Sequence, residues 1–136
     1  MSTDLETGEE IETRELVHFV TQKTRFALVN NILQHPEQLP SMYELEELNP
    51  SVSEATVYKH VQKLIDSGVV EEVVLADDRR RQGYPWKFYG LTEEGQAFLE
   101  EHNLLAAEVT LQRIYETISD KPEKMVKYEN APRPGT

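Results

Sequence analysis

In the stretch "TQKTRFALVNNILQHP", the apolar residues Phe26, Val29, Ile32 and Leu33 recur at steps of three and four. That period marks one face of an α-helix. Thr21 can cap its start by accepting from a free first-turn N–H, and Pro36 ends it, so the spacing predicts an amphipathic helix of about four turns. "SMYELEEL" predicts a second, shorter one. Ser41 followed by Glu44 is a capping box, and Met42, Leu45 and Leu48 share a face. A third helix follows Ser53 as N-cap, with Val57, Val61, Leu64 and Ile65 as its apolar stripe and Gly68 as its closing residue. Upstream, "ELVHFV" is apolar but too short to separate a strand from a helical turn.

Past Gly68 the period changes. "VVEEVVL" (residues 69–75) is β-branched, and "WKFYGL" (86–91) resumes after the turn-rich "ADDRRRQGYP". Two strands around a charged loop of about eight to ten residues make a hairpin. Thr92 then caps a last helix, with Glu93 and Glu94 in its first turn, running to about Ser119 before Pro122. Leu104, Ala107, Leu111, Ile114 and Ile118 follow a heptad-like spacing along it. A helix of this length spans ~40 Å, more than one small domain can cover. The seam therefore predicts a homodimer through antiparallel helices, aided by Phe19; the competing arrangement packs it on the first helix. Residues 1–12 read as an acidic tail. Residues 13–91 form the helix–hairpin domain, 92–119 the dimerisation helix, and 120–136 a C-terminal tail whose end, "ENAPRPGT", reads as disordered.

Composition narrows the class. At 136 residues the chain suits one domain with its own core. With no cysteine, structural disulfides, thiolate metal sites and a thiol switch or nucleophile are excluded. The polar, acidic start "MSTDLETGEEIETRE" is unlike a signal peptide, and no apolar run suits a membrane span, so a cytoplasmic protein without membrane attachment is expected. Catalysis finds no support in a phosphate loop, HExxH motif or serine elbow. His18, His35, His60 and His102 are scattered, and "His35-Pro36-Glu37" and "Glu100-Glu101-His102" are two-ligand fragments that arise by chance. No cofactor or ligand pocket can be inferred.

The charge is uneven. Asp and Glu number 25 against 14 Lys and Arg, a net charge of -11. Such acidity opposes nucleic-acid binding, yet it also suits a hydrated surface in concentrated salt, hence the expectation of a halophilic source. Residues 50–91 depart from it. Their six cations (Lys59, Lys63, Arg79, Arg80, Arg81, Lys87) match six carboxylates, so the rest of the chain carries the whole excess.

Helix, short helix, helix, hairpin and long helix in that order is the winged helix-turn-helix arrangement, mainly α with a small β-hairpin. "SVSEATVYKHVQKLIDSGVVEEV" followed by "WKFYGLTEEG" resembles winged helix-turn-helix transcriptional regulators of the PadR and ArsR-like type, in particular acidic haloarchaeal members. Tyr89, Leu91, Thr92 and Gly95 match an element of that group where the second wing strand meets the next helix. The resemblance covers residues 21–100 and implies archaeal origin and transcription regulation, with a regulator of the oxidative-stress response as its nearest member. The sequence itself shows no sensing chemistry.

A recognition helix needs one face to dock and another for the major groove. Residues advance 100° each, so with Val57, Val61 and Leu64 inside, Ala55, Tyr58, Lys59 and Gln62 project outward, flanked by Thr56 and Lys63. Ala55 permits close approach, Thr56 and Tyr58 can reach phosphates or base edges, Lys59 supplies a charge, and Ser53 opens a helix start that can hold a phosphate. Arg79, Arg80 and Arg81, with Gln82, would meet phosphates or a narrow minor groove, while Gly83 lets the loop turn. The blander alternative is that Asp77 and Asp78 merely pair with these arginines at the surface. The expected partners are double-stranded DNA with a palindromic operator, a second copy of the chain, and inorganic cations bridging carboxylates to phosphates, giving a shallow or inverted salt dependence. The rival function is a winged-helix adaptor that binds protein and no DNA.

Overall fold

The computed structural model describes residues 8–104 and 122–134. In chain order it holds α1 (Gly8–Val20), α2 (Lys23–Gln34), α3 (Met42–Glu47), α4 (Glu54–Asp66), β1 (Val70–Val74), β2 (Lys87–Leu91), α5 (Glu93–Glu101) and α6 (Glu123–Glu129). The ambiguous "ELVHFV" is the end of α1. It is helical because Leu16, Phe19 and Val20 all turn onto the core. α2 is capped by Gln22, whose side chain accepts from the Arg25 N–H, and not by Thr21. The Thr21 hydroxyl instead donates back to the Val17 carbonyl at 2.7 Å, finishing α1. At the other end α2 stops at Gln34, before Pro36.

Leu28, Val29, Ile32 and Leu33 of α2 meet Val57, Val61 and Leu64 of α4 in one core, joined by Leu45, Val69, Val70, Tyr89 and Leu99. Each fully buried aliphatic side chain contributes roughly 1.5–3 kcal/mol, which holds the two long helices at fixed orientation. α4 closes at Gly68, where the Val69 N–H reaches the Leu64 carbonyl at 3.2 Å. Gly68 stands at φ +84°, a left-handed conformation that favours glycine.

β1 and β2 pair antiparallel, Val70 opposite Leu91 and Val74 opposite Lys87. Phe88, Tyr89 and Gly90 of β2 are all buried, without the alternation of a one-sided strand. The cause is a covered far edge: the Tyr89 N–H donates to the Pro40 carbonyl at 2.9 Å. The "YGLTEEG" element now has a physical meaning. The Thr92 side chain accepts from the Gly95 N–H at 2.8 Å and donates to the Gly68 carbonyl at 2.6 Å, capping α5 and tying it to the end of α4. A Cβ on Gly95 would lie 2.3 Å from the Val69 carbonyl oxygen, so only glycine fits this approach.

Two expectations about the C-terminal part change. The helix that begins after Thr92 does not run on without interruption. α5 ends at Glu101, Asn103 adopts φ 57°, and the Leu104 N–H turns back to the Leu99 carbonyl at 2.8 Å. This is a Schellman closure, in which a left-handed residue lets the chain satisfy the last free carbonyls. Leu104 thereby packs on the protein's own core. Ala107, Leu111, Ile114 and Ile118 lie outside the described residues.

The second change concerns the expected disordered tail. Residues 122–134 form α6 and a following segment that seats Arg133 at 1% exposure. Its Nη2 donates to Glu44 Oε1 at 2.9 Å, its Nε to the Leu39 carbonyl at 3.0 Å, and its Nη1 to the carbonyls of Tyr128 and Ala131 at 2.6 and 2.8 Å. The guanidinium also lies 4.3 Å from the centre of the Phe88 ring. A buried charge persists only when paired and hydrogen-bonded, and here both conditions are met.

Candidate nucleic-acid interface

Ser53 caps α4 by accepting from the Thr56 N–H at 3.2 Å, and its hydroxyl donates to Thr56 Oγ1 at 2.8 Å. Both polar side chains therefore hold the helix start in shape. Val57, Val61 and Leu64 are buried, which turns Ala55, Tyr58 and Lys59 to solvent, with Tyr58 55% exposed. Thr56, Gln62 and Lys63 are half-buried on the flanks. His60, on the flank towards α2, accepts from Arg25 Nε through Nδ1 at 3.4 Å. Partial burial, with Arg25, Lys63 and Lys59 nearby, holds its pKa below the ordinary histidine value. His60 is therefore a neutral acceptor beside the exposed face at physiological pH.

The three adjacent arginines divide. Asp77–Arg79 form a single 3-10 turn at the loop's start. Arg80 folds inward: Nε donates to the Leu75 carbonyl at 2.9 Å, Nη1 meets Asp77 Oδ1 at 3.0 Å, and the guanidinium lies 3.9 Å from the centre of the Trp86 ring. It braces the loop. Arg79, Arg81 and Gln82 are exposed, and Gly83 turns the loop at φ +84°. Asp77 thus holds one arginine of the three. Trp86 is half-exposed under Arg80 and Lys87, while Phe88 is fully buried.

Behind this face lies a cluster that sequence reasoning left unconnected. The His35 Nδ1 accepts from the Glu37 N–H at 3.1 Å, which leaves the proton on Nε2, and Nε2 donates to Glu44 Oε2 at 2.6 Å. Glu44 also accepts from the Ser41 N–H and hydroxyl, both at 2.9 Å, and from Arg133. Burial opposes ionisation of Glu44, but His35, Ser41 and Arg133 outweigh it and hold the carboxyl below its ordinary range. One carboxylate therefore caps α3, fixes His35 and anchors the C-terminal segment. The capping box identified Glu44 as a cap; nothing in the periodicity marked its partner 89 residues away.

Short helix α3 leads through residues 48–53 into α4, which packs against β1 of the hairpin. A protein with a GntR superfamily winged-helix-turn-helix domain from Halomicrobium mukohataei has this architecture at a TM-score of 0.86 and 26% identity, covering 97% of this chain and 92% of its own. The fold is a winged helix-turn-helix. α4 is the second helix of the helix-turn-helix, and residues 75–86 join the two strands of the hairpin. More distant likenesses include diamide-treated YodB from B. subtilis (TM-score 0.51, 18% identity, 79% of this chain and 93% of that one). Another is the transcriptional regulator PA3341 (TM-score 0.51, 21% identity, 86% and 80%). No family model and no curated protein matches the chain. Among the described residues, no helix is long and apolar enough to cross a membrane.

Proposed function

We propose that this protein is a sequence-specific DNA-binding transcriptional regulator. It places the exposed face of α4 in the major groove and the arginines of its wing on the backbone or in the minor groove. The observation that carries this is the division of α4: a fully buried stripe docks the helix, while Ala55, Tyr58 and Lys59 stand outward. An HTH protein reads base edges with such a helix, and a flanking basic loop adds phosphate contacts. The regulator acts as a homodimer on a palindromic operator. It is a PadR- or ArsR-like regulator serving a stress response in a salt-rich cytoplasm. There, cations bridge its carboxylates to DNA phosphates and flatten the usual loss of affinity with salt.

Selection of bound duplexes from a random library at molar KCl, followed by titration of the winner, tests the reading. Lys59→Glu is expected to lower affinity for the selected sequence by at least about tenfold, through a lost contact and added like-charge repulsion. Unchanged affinity overturns the assignment of α4. The net charge of -11 favours a second reading, a protein-binding adaptor, which predicts no duplex affinity at any salt concentration.

A further inference from the structure

Between the first turn of α3, the return arm of the wing and α6 runs an open groove of about 350 Å³. Tyr43, Tyr84, Trp86, Tyr89 and Tyr128 wall it, and no carboxylate is among the side chains that line it. That is unexpected in a chain with 25 Asp and Glu. Amines rest on these rings: Lys127 Nζ is 4.3 Å from the centre of Tyr84, Lys87 Nζ 4.9 Å from Trp86, and Lys124 Nζ 4.3 Å from Tyr43. Glu46 lies close enough to Lys124 to temper the charge of that amine. Lys127 reaches the wing loop itself: its Nζ lies 3.6 Å from where a Cβ on Gly83 would stand, although Lys127 is more than forty residues from the wing in sequence.

We propose that the C-terminal segment 122–134 is part of the nucleic-acid interface, and that the groove at the wing root seats the phosphate backbone of duplex DNA on Lys127 and Lys87. The proposal rests on the DNA-binding reading above and extends it. Aromatic faces hold each ammonium by cation–π attraction in a fixed place, so a phosphate meets a pre-positioned charge. Arg133 is the anchor of the arrangement. Its bonds to Glu44 and Leu39 and its stack on Phe88 dock the segment against both α3 and β2, and Lys127 projects from that docked segment over Tyr84. Phosphate contacts carry no sequence information, so this groove adds register and affinity while α4 supplies discrimination.

The test is the salt dependence of duplex binding by the full chain, comparing the unaltered protein with Lys87→Gln/Lys127→Gln and Lys87→Arg/Lys127→Arg. Each phosphate contact contributes about 0.9 to the slope of log K against log salt concentration. The glutamine pair is expected to weaken selected and unrelated duplexes alike, by about tenfold or more, and to shift the slope towards positive values by roughly 1.8. The arginine pair keeps both affinity and slope. Emission from Trp86, the one tryptophan, should respond to duplex in the unaltered protein and lose that response in the glutamine pair. Duplex binding with identical slopes for all three proteins overturns the groove assignment while leaving the role of α4 intact. Absence of duplex binding by the unaltered protein sinks the regulator reading and this proposal together.

Discussion

Arg133 and the arginines of the wing carry the same side chain to opposite ends. The wing triplet is conspicuous in sequence, a run of positive charge in an acidic chain, yet its members are exposed or only partly covered. Arg133 sits between two prolines in a stretch with no periodic pattern, and it is buried, stacked and bonded to three elements. Clustering in sequence marks where charge is displayed. Burial and the number of satisfied donors decide where charge holds the fold together, because only a desolvated guanidinium makes each bond at full strength.

The sharpest way to break this contrast is Arg133→Met. It takes the charged guanidinium from the buried Glu44 carboxylate, which keeps its bonds to Ser41 and His35, so a loss of about 3–5 kcal/mol in urea unfolding is expected. Adding Glu44→Gln to that variant removes the buried charge and should recover part of the loss. A pH series refines the same point. The folded-state pKa of Glu44 is depressed, so its contribution is fully present above the unfolded carboxylate value and disappears as pH falls through the folded one. The Glu44→Gln variant should therefore start lower at neutral pH and decline less steeply as pH falls below the ordinary carboxylate value.

Gly95→Ala comes next. The new methyl would press on the Val69 carbonyl at 2.3 Å, forcing β1 and α5 apart at a cost of about 1–3 kcal/mol in thermal or urea unfolding. Smallest is the pair within the wing. Arg80→Ser removes a half-exposed ion pair and a cation–π contact, a loss of at most about 1 kcal/mol after solvent screening, accompanied by a change in Trp86 emission. Arg81→Ser should leave unfolding within about 0.5 kcal/mol and act on duplex affinity instead. Equal effects of the two substitutions on stability would erase the distinction between a bracing arginine and a displayed one.

The helix-turn-helix was legible because its signals are local. The Ser41–Glu44 box, the Ser53 cap, the Val57/Val61/Leu64 stripe and Gly68 each act within one or two turns of helix, and each forms as expected. The exposure of Ala55, Tyr58 and Lys59 followed from the same period. The end of α5 was misjudged because the heptad-like spacing from Leu104 onward looks continuous with the helix before it. A left-handed Asn103 interrupts it without any glycine or proline to announce the break.

The sequence by itself determined the order of the elements from α2 to β2, the caps of α3, α4 and α5, the docking face of α4 and the place of the hairpin. These depend on contacts between residues close along the chain, where periodicity and capping chemistry are decisive. Tertiary structure alone decided which arginine braces and which is displayed. It alone joined His35, Glu44 and Arg133, and brought Lys127 to the wing root. The junction of Glu44 with Arg133 depends on which surfaces exclude water from each other across 89 residues of chain, and no local pattern encodes that exclusion.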